Sequence, residues 1–286
     1  MKVGLFIVGA PKSGTTSLYH YLKEHPEICM SKEKELDYFS HNCVDEMKNY
    51  YKSNPITNYD DYLSQFESVS GEKVFGEGSV SYLFYPNVAN EIREYNSEAK
   101  IIIMLRNPID RAYSHYLMDY KLGLVSDSLE EVINQKEGKW SKVHYQQFIE
   151  LGLYYQQVKR YIDVFGCENV HVIEYESFKN NTAGEVRKVF DFVNVDDTHL
   201  PNVVVHNRFM MPKRLWVKKL YSLVWFRKIL SRIFPEKGIR IIKAIFFEKG
   251  KPKLSLELRK KLLKIYEEDI AALEVLLKLD LSQWKR

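Results

Sequence analysis

The chain has 286 residues, of which 45% are hydrophobic and 14% aromatic. This composition excludes intrinsic disorder as the default and is enough for one sizeable core. The three cysteines are few and widely spaced, which excludes a disulfide framework and a zinc site of ordinary spacing. The opening apolar run is too short for a secretory signal.

No stretch reaches the roughly 18 apolar residues that span a bilayer. We therefore expect a cytoplasmic protein, with any membrane contact at the inner surface.

The net charge of +4 is unevenly distributed along the chain. Residues 214–253 contain twelve Lys or Arg and two Glu, whereas the remainder is net acidic. Trp, Phe and Leu lie between these cations, as in amphipathic segments that bind membrane surfaces. For residues 215–253 two interpretations stay open: a peripheral membrane contact, or a helical pair that packs on the core. No nucleic-acid motif accompanies the charge, so nucleic acid is not an expected partner.

Apolar runs alternate with helical periodicity through the first two hundred residues. The pattern predicts strands at 3–8, 28–30, 100–105 and 170–175, and helices at 17–24, 108–120, 154–165 and 183–192. Such alternation predicts an α/β fold of the three-layer, P-loop type, with a parallel sheet flanked by helices. Ligands of these sheets bind at the carboxyl ends of the strands.

We expect a single domain with a helical C-terminal extension. Its core covers about 1–214, the basic amphipathic segment about 215–253, and the closing helices about 255–286. In the last part, apolar residues recur at helical spacing over 256–277. Ser255 stands where a helix N-cap is needed.

The first predicted strand runs into the loop G-A-P-K-S-G-T-T-S, residues 9–17. A glycine-containing turn between a strand and a helix start lets backbone N–H groups and the helix dipole hold an anion. A nucleoside-triphosphate loop would read G-x-x-x-x-G-K-[ST]. Here Thr15 stands in place of that lysine, and Lys12 lies inside the loop. A kinase site would therefore lack its main charge clamp.

The letters P-K-S-G-T-T-S-L resemble the 5′-phosphosulfate loop of sulfotransferases that use 3′-phosphoadenosine 5′-phosphosulfate (PAPS) as donor. The resemblance implies that Lys12 contacts the 5′-phosphosulfate and stabilises charge on the leaving nucleotide. The cofactor-binding residues that it implies in this loop are Lys12, Ser13, Gly14, Thr15, Thr16 and Ser17.

A second phosphate site is predicted where the buried strand at 100–105 ends. Arg106 follows that strand, and a helix begins at Pro108. Arg106 and Ser114 could converge on one phosphate, and they match the 3′-phosphate motif of the same family. The alternative for Arg106 is a salt bridge to Asp110. Two phosphate sites at strand ends fit a nucleotide that is phosphorylated at both ends of its ribose.

Three further segments extend the resemblance over nearly the whole chain. Residues 76–83 resemble the family segment beneath nucleotide and acceptor, although some carbohydrate sulfotransferases have a lysine where Gly78 stands here. Residues 206–214 resemble the loop that closes over the 3′-phosphate, which makes Arg214 a candidate contact. Residues 259–284 resemble the closing segment of bacterial sulfotransferases. The likeness is to bacterial carbohydrate sulfotransferases of the heparan-sulfate type.

Residues 32–39, K-E-K-E-L-D-Y-F, resemble the E-x-x-F-F segment of glycan sulfotransferases, which places the catalytic glutamate at Glu35. We expect Glu35 to be buried beside aromatic side chains, where a carboxylate is a stronger base. The alternative is a solvated residue in a mixed-charge run. We expect Asp37 on the surface, with a second role in the site as its alternative. The residues expected to be structural are His20, His25, Arg111 and His115.

Together, the sequence predicts an enzyme that moves a sulfuryl group from PAPS to a hydroxyl or amine by in-line displacement. The expected acceptor is a carbohydrate or a lipid-linked glycan. Nothing in the motifs requires a metal. The alternatives are a P-loop nucleotide or sugar kinase, and a catalytically inactive module that binds nucleotide at a membrane surface.

Overall fold

The computed structural model describes residues 2–44, 49–51, 53–67, 71–199, 210–214 and 246–286, together with 217, 220, 221, 223 and 232. Five parallel strands form the central sheet in the order β2-β3-β1-β4-β5. They are β1 (Leu5–Gly9), β2 (Ile28–Met30), β3 (Val74–Gly78), β4 (Lys100–Leu105) and β5 (Val170–Glu174).

Helices cover both faces of this sheet. Their bounds are α1 (Thr15–Lys23), α2 (Tyr59–Leu63), α3 (Val88–Tyr95), α4 (Pro108–Leu122), α5 (Leu129–Ile133), α6 (Ser141–Phe148), α7 (Tyr154–Phe165), α8 (Tyr175–Asn180), α9 (Thr182–Phe192) and α10 (Leu256–Leu277). A separate antiparallel pair is formed by β6 (Met210–Pro212) and β7 (Phe247–Lys249). The predicted α/β class, with a parallel sheet between helices, is confirmed.

The central strands are apolar on both faces, because each face is covered by its own hydrophobic cluster. In β1, Phe6 and Val8 belong to the cluster that contains residues of α3, α7 and α10, whereas Leu5 and Ile7 belong to the cluster under α1 and α9. This alternation explains the uninterrupted apolar run at the start of the sequence.

The chain changes direction at β1. From β1 it crosses through α1 to β2 and β3 on one side, and then returns to β4 on the other side. The carboxyl ends of β1 and β4 therefore flank a topological switch point, where open α/β sheets bind their ligands.

Strand β3 was missing from the sequence prediction, because its letters V-F-G-E-G carry two glycines and a glutamate. Pairing with β1 and β2 sets its position, with Gly76 opposite Leu5. A Cβ atom on Gly76 would lie 2.8 Å from the Met30 sulfur. A glycine is thus required here by packing, although it weakens the local strand signal.

The prediction of a helical segment over 215–253 is wrong at its end, since β7 is a strand that pairs with β6. Hydrogen bonding to β6 overrides the helical periodicity there. Most of the segment, and with it the predicted membrane contact, lies outside the described residues. Within the described part of the chain, no helix combines the length and apolarity that crossing a bilayer needs.

Helix α10 begins as predicted, with the Ser255 hydroxyl accepting a hydrogen bond from Leu258 N–H at 3.2 Å. Halfway along α10, the Asp269 carboxylate accepts hydrogen bonds from the backbone N–H groups of Tyr154 at 2.7 Å and Tyr155 at 3.1 Å. Helix α7 has no N-cap side chain of its own. Asp269 therefore caps α7 from a distant part of the sequence.

This long-range cap supports the ligand side of the sheet. The Tyr154 hydroxyl donates a hydrogen bond to the Arg106 carbonyl oxygen at 3.0 Å. Further along, the Asn107 side-chain amide donates to the Trp284 carbonyl oxygen at 3.2 Å. The closing segment thus fixes the backbone just beyond β4.

We expect Asp269→Ala to lower the free energy of unfolding by about 1–3 kcal/mol, because two partly buried backbone N–H groups at the start of α7 lose their acceptor. Urea unfolding followed by circular dichroism measures this change. Asp269→Asn is the matched control, since its amide oxygen can still accept from both N–H groups. Equal losses for the two variants would contradict a capping role.

Candidate active site

A cavity of 590 Å³ opens at the carboxyl ends of β1 and β4. Its walls come from the loop after β1, the start of α1, the segment after β2, the segment after β3, and α4. The residues predicted from sequence that line it are Lys12, Gly14, Thr15, Thr16, Ser17, Glu35, Arg106 and Ser114. The structure therefore brings both predicted phosphate sites and the predicted base into one cavity.

The loop after β1 ends in an open helix N-terminus. Gly14 occupies the N-cap position of α1 with φ 93° and provides no side-chain cap. A Cβ atom on Gly14 would come within 3.0 Å of the Tyr175 ring, so both the backbone angle and the space favour glycine. The Ser17 N–H donates to the Gly14 carbonyl oxygen at 3.0 Å. The N–H groups of Thr15 and Thr16, at the very start of α1, are positioned for a ligand, and the helix dipole makes an anion the preferred one.

Lys12 lies inside this loop with φ 69°. Its Nζ is 3.3 Å from the Met118 Sδ on α4. Burial lowers the pKa of Lys12; the negative charge of Asp119 opposes this change, and neighbouring cations, Arg106 among them, add to it. A partly buried ammonium group among cations is stabilised by an anion, which this cavity can accommodate.

Arg106 lies at the end of β4 and faces the same loop. One guanidinium nitrogen donates to the Lys12 carbonyl oxygen at 3.2 Å, and the guanidinium carbon lies 4.6 Å from the centre of the Tyr175 ring. The Arg106 Nε is buried and has no hydrogen-bond partner within the described residues. Asp110 forms its salt bridge with Arg259 at 2.7 Å instead. Arg106 therefore keeps donor capacity for an anion.

Two predicted cofactor-binding residues lie outside the cavity wall. Ser13 is fully buried, and its backbone N–H donates to the Ala10 carbonyl oxygen at 3.3 Å. Arg214 is exposed. Their assignments stay predictions, and the structure places neither side chain among the lining residues.

Lys251 is a cation near this site that the sequence analysis missed. Its Nζ lies 3.4 Å from the Asp110 carbonyl oxygen and 5.1 Å from the centre of the Tyr113 ring, both on α4. Burial, followed by repulsion from Arg106, lowers the pKa of Lys251 to about 8. Its signal in the sequence is the short K-G-K-P run at residues 249–252, before α10.

The predicted catalytic segment, residues 32–39, forms backbone hydrogen bonds to residues at the end of β3. Glu35 has φ 63°, and its N–H donates to the Gly78 carbonyl oxygen at 2.9 Å. The Asp37 N–H donates to the Ser79 hydroxyl oxygen at 3.1 Å. The Ser79 hydroxyl donates in turn to the Glu77 carboxylate at 2.9 Å. The segment after β2 therefore rests on a buried carboxylate in β3.

Glu77 is fully buried and accepts hydrogen bonds from three hydroxyl groups. Tyr62 donates to it at 2.8 Å and Tyr82 at 3.2 Å, in addition to Ser79. Burial raises the pKa of Glu77 to about 7, while these hydrogen bonds oppose the increase. Glu77 does not line the cavity, so its contribution is to hold the segment above it.

Glu35 and Asp37 both project into the cavity. One Glu35 oxygen accepts a hydrogen bond from Val80 N–H at 2.8 Å, and the other is paired with the Lys34 ammonium. The Asp37 carboxylate accepts from the Ser81 hydroxyl at 2.6 Å. Two carboxylates thus lie side by side beside Lys34.

The expected environments of these two acids are reversed. The side chain of Glu35 is 40% exposed, so the prediction that it is buried beside aromatic residues is wrong. The left-handed backbone at Glu35 directs it towards Val80 and solvent. The surface position expected for Asp37 is also wrong, because this residue lines the cavity. Burial, followed by the charge of Glu35, raises the pKa of Asp37 to about 6.

The histidines and Arg111 have different surroundings. His20 is exposed and His25 is buried, where its Nε2 lies 2.8 Å from the Asp196 carbonyl oxygen. Arg111 is fully buried and donates to the Gln147 carbonyl oxygen at 3.0 Å. His115 lines the cavity, and its Nε2 lies 2.9 Å from the Tyr51 hydroxyl. Burial, followed by the charge of Arg111, lowers the pKa of His115 well below its usual value.

Besides its charged residues, the cavity is lined by aromatic, aliphatic and neutral polar side chains. Flat rings beside amide and hydroxyl groups are suited to a ligand that has both apolar faces and hydroxyl groups. Among these neutral lining residues are Val44, Tyr51, Ser53, Phe84, Tyr85, Met118, Gln146, Gln147 and Leu151.

The fold and the cavity define a P-loop-type α/β protein whose site combines a helix N-terminus, Lys12 and Arg106 with two carboxylates. The sequence model of the sulfotransferase domain matches residues 4–274. The chain therefore belongs to the sulfotransferase family and carries its enzymatic domain, as the loop motifs predicted.

A solved structure with the same fold is a sulfotransferase from Alicyclobacillus acidocaldarius. It is 32% identical in sequence, with a TM-score of 0.74, and the match covers 100% of both chains. Among curated proteins, the membrane-associated sulfotransferase kil1 of Dictyostelium discoideum is 36% identical over 38% of this chain and 21% of its own. Mouse carbohydrate sulfotransferase 15 is 25% identical over 66% of this chain and 43% of its own. The chain thus spans less than half the length of both curated relatives.

Proposed function

We propose that this protein transfers the sulfuryl group of PAPS to a hydroxyl or amine of a carbohydrate or glycolipid. The observation that carries the proposal is the meeting of two anion-binding groups in one cavity. Lys12 and the first turn of α1 follow β1, whereas Arg106 follows β4 and Ser114 lies on α4, and all of them line the cavity. A donor with a 5′-phosphosulfate and a 3′-phosphate has negative charge at both places.

The loop end suits the 5′-phosphosulfate. Backbone N–H groups of Thr15 and Thr16 would hold its oxygens, because the start of a helix attracts anions. Lys12 would neutralise the charge that develops on the bridging oxygen as the bond to sulfur breaks. No step in this scheme requires a metal.

The strand end suits the 3′-phosphate. Arg106 contributes a guanidinium group with an unused buried donor, and Ser114 contributes a hydroxyl to the same wall. Lys251 adds a third cation beside α4. A doubly charged phosphate monoester is the kind of ligand that such convergent donors stabilise.

Transfer requires a base for the acceptor proton. Glu35 is our choice, since it lines the same cavity as Lys12 and the resemblance places the family base there. The acceptor oxygen or nitrogen would attack sulfur in line, give its proton to Glu35, and displace the nucleotide phosphate oxygen. Asp37 is a second candidate, because its pKa of about 6 suits a base at neutral pH.

The proposed acceptor class rests on the neutral side chains that line the cavity and on the relatives. Phe84 and Tyr85 offer ring faces, while Ser53 and Gln146 offer hydrogen bonds, which is how sugars are commonly held. Mouse carbohydrate sulfotransferase 15 acts, by its name, on carbohydrate. The acceptor that we propose is a lipid-linked glycan at the inner membrane surface. A cytoplasmic enzyme would reach it through contact of residues 215–253 with that surface.

The first test uses the full chain and compares donors. We expect 3′-phosphoadenosine 5′-phosphate (PAP), the product nucleotide, to raise the melting temperature, because binding to the native state adds to stability. ATP with magnesium should not do so. Transfer of ³⁵S from labelled PAPS into polysaccharide, lipid and small-molecule fractions then identifies the acceptor. Stabilisation by ATP and magnesium alone would favour a kinase, and PAP binding without transfer would favour an inactive nucleotide-binding module.

We expect Glu35→Gln to lower kcat about 10²–10⁴-fold, the usual contribution of a general base, with little change in the KM for PAPS. Asp37→Asn, its matched control, should retain most of the activity. The measurement is steady-state transfer to the fraction that accepts label. If Asp37→Asn shows the larger loss, and the wild-type rate falls as the pH drops through about 6, then Asp37 is the base.

We expect Lys251→Met to raise the dissociation constant of PAP about tenfold or more, because a charge-assisted contact to phosphate is lost. Arg214→Met should have a smaller effect, as its side chain is exposed. Isothermal titration calorimetry with PAP measures both, and adenosine 5′-phosphate serves as the ligand without a 3′-phosphate. A loss for Arg214→Met alone would restore the assignment made from the sequence.

A further inference from the structure

Asp119 is a fully buried acid on α4, the helix that contacts the loop lysine Lys12. It follows Met118 on α4, whose Sδ is 3.3 Å from Lys12 Nζ. Its Oδ2 accepts hydrogen bonds from the hydroxyls of Tyr50 at 3.1 Å and Tyr51 at 3.0 Å. Its Oδ1 is buried and has no hydrogen-bond partner in the part of the chain that the structure describes. An oxygen of this kind is costly unless a cation faces it.

The neighbouring hydrogen bonds have a fixed direction that ends at Asp119. Arg111 lies 3.4 Å from His115 Nδ1, and an arginine can only donate, so Nδ1 accepts. The hydrogen of His115 is then on Nε2, which donates to the Tyr51 oxygen at 2.9 Å. The Tyr51 hydroxyl then donates its own hydrogen, for which Asp119 Oδ2 at 3.0 Å is a nearer acceptor than Gln147 Oε1 at 3.3 Å. The carboxylate is thus the negative end of a buried chain of donors.

The charges around Lys12 show why this negative end matters. Burial and the cations Arg106, Lys34 and Lys121 all lower the pKa of Lys12, and Asp119 is the group that raises it. Burial raises the pKa of Asp119 to about 7, whereas its two tyrosine hydrogen bonds and the charge of Lys12 lower it. Each group therefore favours the charged form of the other.

We propose that Asp119 is a positioning residue that supplies the counter-charge for Lys12, and that Tyr50 and Tyr51 hold its carboxylate in place. The proposal rests on the function proposed above, in which the Lys12 ammonium binds the donor. It assigns a role to a buried acid that touches neither donor nor acceptor. The same hydrogen bonds hold Tyr50 and Tyr51 against α4. The position of the cavity wall at Tyr51 therefore depends on the charge of Asp119, and through Asp119 on the charge of Lys12.

The experiment measures the affinity of PAP by calorimetry from pH 5.5 to 9.5, which needs no acceptor. Asp119→Asn keeps an oxygen for the tyrosine hydroxyls but removes the charge. We expect its alkaline loss of PAP affinity to begin about one pH unit lower than in the wild type, the size of shift that a nearby opposite charge produces. A residue that only filled space would change affinity equally at every pH.

A second variant tests the acidic limb of the pH profile, where PAP affinity falls as the pH decreases. Tyr50 is buried and does not line the cavity, so Tyr50→Phe removes one donor to Asp119 and leaves the ligand contacts. We expect Asp119 to take up its proton at higher pH, which moves the acidic loss of affinity to higher pH. The phosphates of PAP titrate in the same way for every variant. Asp163→Asn, which removes half of an exposed ion pair with Lys159, is the control and should leave both limbs unchanged.

The outcomes separate the two proposals. Wild-type binding of PAP, with unshifted limbs in the variants, overturns the role of Asp119 and leaves the proposed function standing. Absence of PAP binding in the wild type overturns the proposed function and, with it, this inference. If Asp119→Asn does not fold, as judged by its thermal melt, the acidic limb of Tyr50→Phe decides.

Discussion

The parallel pairing of β1 with β4 is the constraint on which this site depends. The register shifts between Ile7 and Gly9, where β1 is irregular. Beyond the shift, the Ala10 N–H donates to the Met104 carbonyl oxygen at 2.7 Å. The loop after β1 therefore begins while it is still bonded to β4, so Lys12 and Arg106 meet although 93 residues separate them in the sequence. A slip of one residue would turn these side chains to opposite faces.

The acid side of the cavity depends on β3 in a similar way. Glu77 is directed into the core, where three hydroxyls hold it, and Gly78 and Ser79 then receive the backbone of the segment that carries Glu35 and Asp37. The sheet thus sets the separation between cations and carboxylates. Hydrogen bonds to a buried carboxylate are costly to break, which favours a fixed geometry over a mobile loop.

The sequence predicted what local patterns encode. The apolar runs identified β4 and β5, helical periodicity identified α7 and α10, and the loop motifs pointed to Lys12 and Arg106, which both line the cavity. These features need only neighbouring residues. Prediction from the sequence failed where residues far apart in the chain determine the local structure. The examples are the pairing of β6 with β7 and the packing that requires glycine in β3. Lys251 and Asp119 were missed for the same reason, because their surroundings come from α4 and from chain far away in sequence.

The site contains cations that repel one another, namely Lys12, Arg106 and Lys251. Burial and the charge of Arg106 lower the pKa of Lys12, and burial together with the charges of Arg106 and Lys12 lowers the pKa of Lys251. In a folded protein such repulsion is offset by packing elsewhere. The closing segment supplies that packing through Tyr266 and Trp284, both almost fully buried. A ligand with two anionic groups relieves the repulsion on binding. The repulsion among these cations therefore has two effects. It lowers the stability of the protein without ligand, and it raises the affinity for a ligand with two anionic groups.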